Sequence, residues 1–370
     1  MLSLALPSFA QDAGAPPVRA KVDDYARARQ TFDQELAAYW KAIADKRRLR
    51  IGKRRNGEAV QLDDYVLTQP PVYKGPPAPD PGSRGPTPPE RRKVEIPVVA
   101  DFLRAAEEQY QFVPRRPQTE AEFKRAYARS ALDAGLTRDQ IVRIYAFETG
   151  GNGTYDAQAG LVPPRPGARA ISPAIGYNQL LSTNSVELMA EHGEEFVEAL
   201  RRKTAGLSTE AKKIMDRKIE AVRRMIAFSR TVPDAWSEHD YLAKNTPGGM
   251  GIHGAILDLD LGPLLQTRKL VNSVLFARSK GYKGTLTAAE LEMMNFTGDG
   301  NGLDMVLMPA AMRQRVPTAN FFQQEGYERN PIARRTAVVA ALFASIESKM
   351  DQAAQSQGAR DLAAAFSGGL

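Results

Sequence analysis

The chain has 370 residues, 43% of them hydrophobic and 25% charged, and a mass of 40.6 kDa. That length is sufficient for a buried core and allows two domains. There is no cysteine, which excludes a thiol nucleophile, a zinc–thiolate site and a disulfide framework. The three histidines, His192, His239 and His253, lack metal-ligand spacing, so we predict neither a metal nor a cofactor. The net charge of +7 favours a polyanionic partner, either nucleic acid, an anionic membrane face or an acidic cell-wall polymer.

The first ten residues are typical of the end of a secretory signal. Residues 2–6 are an apolar run, and small residues at Ser8 and Ala10 stand where a cleavage site is expected. A basic segment before the run is missing, and the alternative is simply an apolar terminus. The longest other apolar run, residues 336–346, is shorter than the roughly 18 residues of a membrane span. We therefore expect residues 1–10 to be a signal-peptide remnant on a periplasmic protein with no membrane span.

Residues 11–69 are predicted to form an N-terminal helical arm. Phe32, Leu36, Tyr39 and Ile43 recur at helical spacing and define one apolar face. This face packs either on its own domain or on a partner, which leaves an envelope protein as an open alternative. The segment Lys46 to Arg55 then carries seven basic residues in ten. Such a run is either a solvated helix end or a contact for an anionic polymer.

A proline-rich linker is predicted at residues 70–97, since nine of the twenty residues from 70 to 89 are proline and proline fits neither helix nor sheet interiors. Residues 98–355 show one amphipathic helix after another, with capping boxes at Thr137–Gln140 and Thr287–Glu290 and no run of alternating strands. The glycine-rich residues 247–251 are interpreted as a flexible loop and residues 356–370 as a flexible tail. The predicted fold class is all-α.

Glu148 is the most informative single residue. It follows Ile141, Ile144 and Tyr145 on the apolar face of a predicted helix that ends at the glycines 150–151. Burial raises the pKa of a carboxyl group, and the negative end of the helix dipole acts in the same direction. A carboxyl group that stays protonated near neutral pH is suited to be a general acid. The alternative is a helix-end glutamate that turns to solvent.

Three short segments in chain order add to this. They are Glu148-Thr149, Ser-Pro-Ala-Ile-Gly-Tyr-Asn-Gln at 172–179, and Asn-Phe-Thr-Gly at 295–298. Together they resemble the soluble lytic transglycosylases. The pattern of that family is a catalytic Glu followed by Ser, then Gly-Ala-x-Gly-Leu-Met-Gln, then Tyr-Asn-Ala-Gly. The resemblance covers residues 119–350 and implies a lysozyme-like helical catalytic domain.

The resemblance also implies the roles of individual residues. Glu148 matches the catalytic acid/base, and the substrate-binding positions fall on Thr149, Gly176, Tyr177, Gln179, Asn295, Phe296 and Thr297. Several positions depart from the family pattern: Thr149 replaces Ser but keeps a hydroxyl, Pro173 replaces Gly, and Met294 replaces Tyr. The final tyrosine segment of the family is not evident.

The implied function is a peptidoglycan lytic transglycosylase. It would cleave the MurNAc-β-1,4-GlcNAc bond and form 1,6-anhydro-MurNAc, with glycan strands as partner and without a metal or a second carboxylate. One alternative is an inverting muramidase or chitosanase-like hydrolase, with Asp156 as base. Another is an inactive peptidoglycan-binding or scaffold protein. Residues 298–304 suggest a calcium loop, but they lack the glutamate expected at its end. Export argues against nucleic acid as a partner.

Overall fold

A computed structural model describes residues 18–79, 95–161 and 166–368. Over these ranges the backbone is helical, with isolated bridges but no β-strand, which confirms the all-α class. The lysozyme-like topology stays a prediction. The signal-like residues 1–10 and residues 80–94 of the linker lie outside the described residues. Within the described ranges, no helix has both the length and the apolar character that a membrane crossing needs.

The helices are α1 Val18–Arg55, α2 Val99–Tyr110, α3 Glu120–Asp133, α4 Arg138–Thr149, α5 Ser182–Thr204, α6 Thr209–Ser229, α7 Trp236–Asn245, α8 Pro247–Gly254, α9 Gly262–Ser279, α10 Ala288–Thr297, α11 Asp299–Val306, α12 Ala310–Arg313, α13 Gln324–Arg329, α14 Pro331–Arg335, α15 Val339–Ala353 and α16 Gln357–Ala365. Three short 3₁₀ turns lie at Leu62–Asp64, Ala255–Leu257 and Thr318–Phe321.

The described residues divide into two compact units. Those of 1–93 join those of 315–338, and those of 94–314 join those of 339–370. The sequence analysis had assigned 315–338 to the C-terminal domain, whereas this segment packs with the N-terminal unit. Residues 356–370 also differ from the predicted flexible tail. They include α16, which buries Ala359 and Leu362 and packs on α3 and α4.

In the first unit, the predicted apolar face of α1 is buried within the unit. Tyr39 and Ile43 are buried, and the Tyr39 hydroxyl donates to the Thr68 carbonyl at 3.0 Å. The rings of Phe32 and Tyr73 meet edge to face at 5.4 Å. The face therefore packs on the extended chain that follows α1, which supports packing on its own domain over packing on a partner.

The basic run at the end of α1 is partly structural. Arg50 is fully buried and donates to the carbonyls of Asp64 and Asn320 at 2.9 and 3.2 Å, with its guanidinium 4.3 Å from the Tyr65 ring centroid. Lys53 binds the Asp64 carboxylate at 2.7 Å. Because burying an unpaired charge is costly, these contacts hold the cations inside the unit. This part of the run is thus neither a solvated helix end nor a free polymer contact.

In the second unit, the glycine-rich residues 247–251 form most of helix α8, not the predicted flexible loop. Thr246 caps α8, accepting from the Gly249 amide at 3.0 Å. The helix packs closely on α2: a Cβ added at Gly254 would lie 2.7 Å from the Phe102 carbonyl oxygen. Glycine is required there because the two backbones approach more closely than a side chain permits.

A buried ion cluster stabilises the turn before α9. The Lys218 ammonium lies 2.7 Å from carboxylate oxygens of both Asp258 and Asp260. Asp258 is fully buried and also accepts from the amides of Arg115 at 2.7 Å and Leu261 at 3.0 Å. Each buried charge therefore has partners, which is the condition under which such a cluster is tolerated in a core.

Candidate active site

Helix α4 places Glu148 in its last turn. The predicted capping box is present: the Thr137 hydroxyl accepts from the Gln140 amide, and the Gln140 side chain accepts from the Thr137 amide. At the other end, Gly150 has a φ of +66° and ends the helix in the left-handed region, which favours glycine. Because Ile141 and Ile144 are fully buried, the register fixed by this cap keeps Glu148 on the side of the helix that packs inward.

Helix α10 supplies the other half of the site. It packs against α4 and starts at the predicted capping box of Thr287 and Glu290. Glu292 and Asn295 are three residues apart and therefore share one face of α10. Glu292 is fully buried, whereas Asn295 is half-buried.

The site consists of two carboxyl groups and one amide. The Asn295 Nδ2 atom donates to Oε1 of Glu148 at 3.3 Å. The carboxyl of Glu292 lies within hydrogen-bonding reach of the carboxyl of Glu148. Glu148 keeps a partly exposed surface, while Glu292 has none. Only Glu148 of this pair is therefore accessible to a ligand.

The pKa values of both carboxyls are raised. Burial raises the pKa of Glu148 to about 7, against the opposing hydrogen bonds to Glu292 and Asn295. Burial also raises the pKa of Glu292 well above its usual range, and the nearby charge of Glu148 adds to this. Two adjacent carboxylates cannot both be ionised cheaply away from water. The pair therefore retains a proton near neutral pH.

The predicted residues beside Glu148 and in the middle segment have structural partners. The Thr149 hydroxyl donates to the Tyr145 carbonyl at 2.6 Å, one turn back in α4. The Gln179 amide donates to the carbonyls of Ala157 and Gly176 at 3.0 and 2.9 Å. These bonds fix the loop at 157–179, to which Gly176 contributes an amide bond to Ala157 at 2.9 Å.

Tyr177, predicted to bind substrate, lies in the core of the second unit. Its ring is fully buried and meets those of Tyr145 and Tyr127 at 4.7 and 5.2 Å. Its hydroxyl donates to the Glu120 carboxyl, whose pKa burial raises. This position corrects the sequence-based assignment: the side chain faces other aromatic rings and no ligand surface.

The third predicted segment lies at the end of α10. Phe296 and Thr297 follow Asn295 and are half-buried. The Thr297 hydroxyl donates to the Met293 carbonyl at 2.7 Å. Of the predicted residues, the structure therefore brings Asn295 into hydrogen-bond contact with Glu148.

Sequence reasoning missed the role of Glu292. It appeared there only as the first letter of the segment that ends at Asn295. A signal was present, because Glu292 stands between the apolar residues Leu291 and Met293 in a helix and lies on the same face as Asn295. A glutamate surrounded by core residues in this way is rare unless it has a partner.

Two other kinds of site can be assessed. The described residues contain no group of three or more His, Asp or Glu side chains arranged for a metal ion. Ser185 and His253 form a buried pair with Oγ and Nδ1 2.8 Å apart, and the second ring nitrogen lies 3.0 Å from the Pro173 carbonyl. Burial lowers the pKa of His253 to about 4. Because both side chains are fully buried, no substrate reaches this serine as a nucleophile.

Comparisons of the chain with protein-family models, with curated proteins and with solved structures find no match. The resemblance to lytic transglycosylases thus rests on the three short segments alone. What the site does is accordingly argued from its own geometry.

Proposed function

We propose that this protein is a periplasmic peptidoglycan lytic transglycosylase in which Glu148 is the single acid and base. One observation carries the proposal: a partly exposed carboxyl at a helix end, bonded to Asn295 and backed by the buried Glu292, with a pKa raised to about 7. A general acid is most effective when its pKa lies near the working pH. Glycan strands would be the substrate, as the resemblance implies.

The reaction has two proton transfers through one group. Glu148 gives its proton to the glycosidic oxygen as the bond between that oxygen and C1 of the muramoyl unit breaks. The substrate's N-acetyl group assists at C1. The Glu148 carboxylate then takes the proton of the C6 hydroxyl as the bond between O6 and C1 closes the anhydro ring. Glu148 is protonated again at the end, and no water is consumed.

The contact between the two carboxyls favours this mechanism over two-carboxylate hydrolysis. Glycosidases that use two carboxyls hold them about 5–5.5 Å apart when retaining and about 6.5–9.5 Å apart when inverting. Glu148 and Glu292 are instead within hydrogen-bonding reach, and the buried Glu292 cannot reach the far side of a sugar ring. Asp156, the base considered for an inverting enzyme, is bound by Arg116 and Thr154 at 2.8 and 2.7 Å.

The other residues take supporting parts in this proposal. Asn295 orients the Glu148 carboxyl, and Phe296 and Thr297 provide the neighbouring surface for the glycan. Gly176 and Gln179 hold the adjacent loop in shape. The first half of α1 is largely exposed and is the surface offered to an envelope protein.

The test is a digest of purified peptidoglycan by wild type, Glu148→Gln and the control Glu347→Gln. Glu347 is exposed, so the control removes the same charge outside the site. We expect Glu148→Gln to lower release of anhydro-muropeptides by ~10²–10⁴, while Glu347→Gln acts like wild type. Mass spectrometry separates the alternatives. Products with free reducing ends would make the protein a hydrolase, and wall binding without any product would make it a binding protein.

A further inference from the structure

Glu292 presents an unusual problem of hydrogen bonding. It is fully buried, and among the described residues neither of its carboxyl oxygens receives a hydrogen bond of normal geometry from a group with a proton of its own. The Asn295 amide lies nearby, but its bond goes to Glu148. An ionised carboxylate in such a place would lose its hydration with no compensation. Glu292 must therefore be neutral.

The charged groups on the helices packed around α10 are engaged elsewhere. On α4, Arg143 pairs with Asp351 of α15 at 2.8 Å. At the start of α11, Asp299 accepts from the Ser273 hydroxyl of α9 at 2.6 Å. Within the described structure, Glu148 is the one charged group that acts on Glu292, and Glu292 the one that acts on Glu148.

A neutral carboxyl has an O–H group, and that donor also needs a partner when it is buried. The Glu148 carboxyl is the acceptor within reach. Glu148 would then receive two hydrogen bonds, from the Glu292 hydroxyl and from the Asn295 amide. Both bonds strengthen when Glu148 becomes a carboxylate, because bonds to a charged acceptor are stronger.

We propose that Glu292 is a positioning residue: it stays protonated through the reaction and donates its O–H hydrogen bond to Glu148. This bond holds the reactive carboxyl in place and stabilises the carboxylate that forms when Glu148 gives up its proton. Glu292 itself neither gains nor loses a proton. The hydrogen bond stands on the geometry alone, while its part in turnover rests on the proposed function.

The test compares Glu292→Gln, which keeps a neutral donor, with Glu292→Met, which has similar volume and no donor. Titration of the Glu148 carboxyl is followed by NMR with ¹³C-labelled glutamate, with Glu148→Gln used to assign the signal. We expect the titration midpoint of Glu148 to stay close to the wild-type value in Glu292→Gln. In Glu292→Met it should rise by about 1–2 pH units, the equivalent of one lost hydrogen bond to a charged group.

Activity gives the second readout. Glu292→Gln should keep most of the release of anhydro-muropeptides, and Glu292→Met should move the alkaline limb of the pH–rate profile to higher pH. The proposal is overturned if Glu292→Gln is as inactive as Glu148→Gln, or if the Glu148 titration is the same in both Glu292 variants. Should Glu292→Met not fold, Glu292→Asp withdraws the donor by one methylene and is expected to shift the titration in the same direction. If wild type shows no turnover, the proposed function fails, but the NMR comparison still decides the hydrogen bond.

Discussion

The raised pKa of Glu148 has a consequence for stability that does not depend on any activity. Folding moves this pKa from 4.5 to about 7. The folded protein therefore binds the proton more tightly than the unfolded chain, and stability is highest below pH 4.5 and falls as the pH rises through 7. At about 1.4 kcal/mol per pKa unit, the cost at pH 8 is up to about 3 kcal/mol.

Replacing Glu148 by Gln removes this cost while keeping an oxygen that accepts from Asn295. We expect Glu148→Gln to match wild type at pH 4.5 and to become more stable than wild type as the pH rises to 8. The difference should approach about 3 kcal/mol, or a Tm difference of ~6–12 °C for a domain of this size.

The assay is urea unfolding followed by circular dichroism between pH 4.5 and 8. Glu347→Gln serves as the control, since it removes an exposed carboxylate, and its stability should run parallel to wild type at every pH. If the curves of Glu148→Gln and wild type are parallel instead, Glu148 is not held in a desolvated site and its role as a general acid loses its physical basis.

Two further predictions concern the buried charges. Asp258→Asn leaves the Lys218 ammonium, bound at 2.7 Å, with a weaker partner and should lower the unfolding free energy by about 3–5 kcal/mol; combining it with Lys218→Met in a double-mutant cycle should give a coupling energy of more than about 1 kcal/mol, and purely additive effects would contradict the cluster. Arg50→Met leaves two buried carbonyls unpaired and should cost at least about 2 kcal/mol, whereas the exposed Arg48→Met should cost less than about 1 kcal/mol; equal losses in thermal unfolding would show that Arg50 is not a structural residue.

The candidate site illustrates how far sequence patterns reach. The α4 capping box and the terminating glycines are contained in the local sequence, and they place Glu148 in the last turn of its helix. Asn295 was found through its segment and lies at Glu148 as expected. Tyr177 was assigned to the same site by alignment of a motif, but its aromatic neighbours come from α3 and α4, and no pattern around residue 177 specifies that environment.

The sequence by itself determined the features that arise within a few turns of one helix: the all-α class, the caps of α4 and α10, the apolar face of α1 and the position of Glu148. Those depend on periodicity and on hydrogen bonds between near neighbours. Only the tertiary structure decided which carboxyl meets Glu148, that Arg50 is buried, and that residues 315–338 pack with the N-terminal unit. These are contacts between residues more than a hundred positions apart, such as Glu148 with Glu292 and Arg50 with Asn320. The protonation of the site follows from such contacts, because burial by distant segments removes the water that would otherwise keep each glutamate ionised.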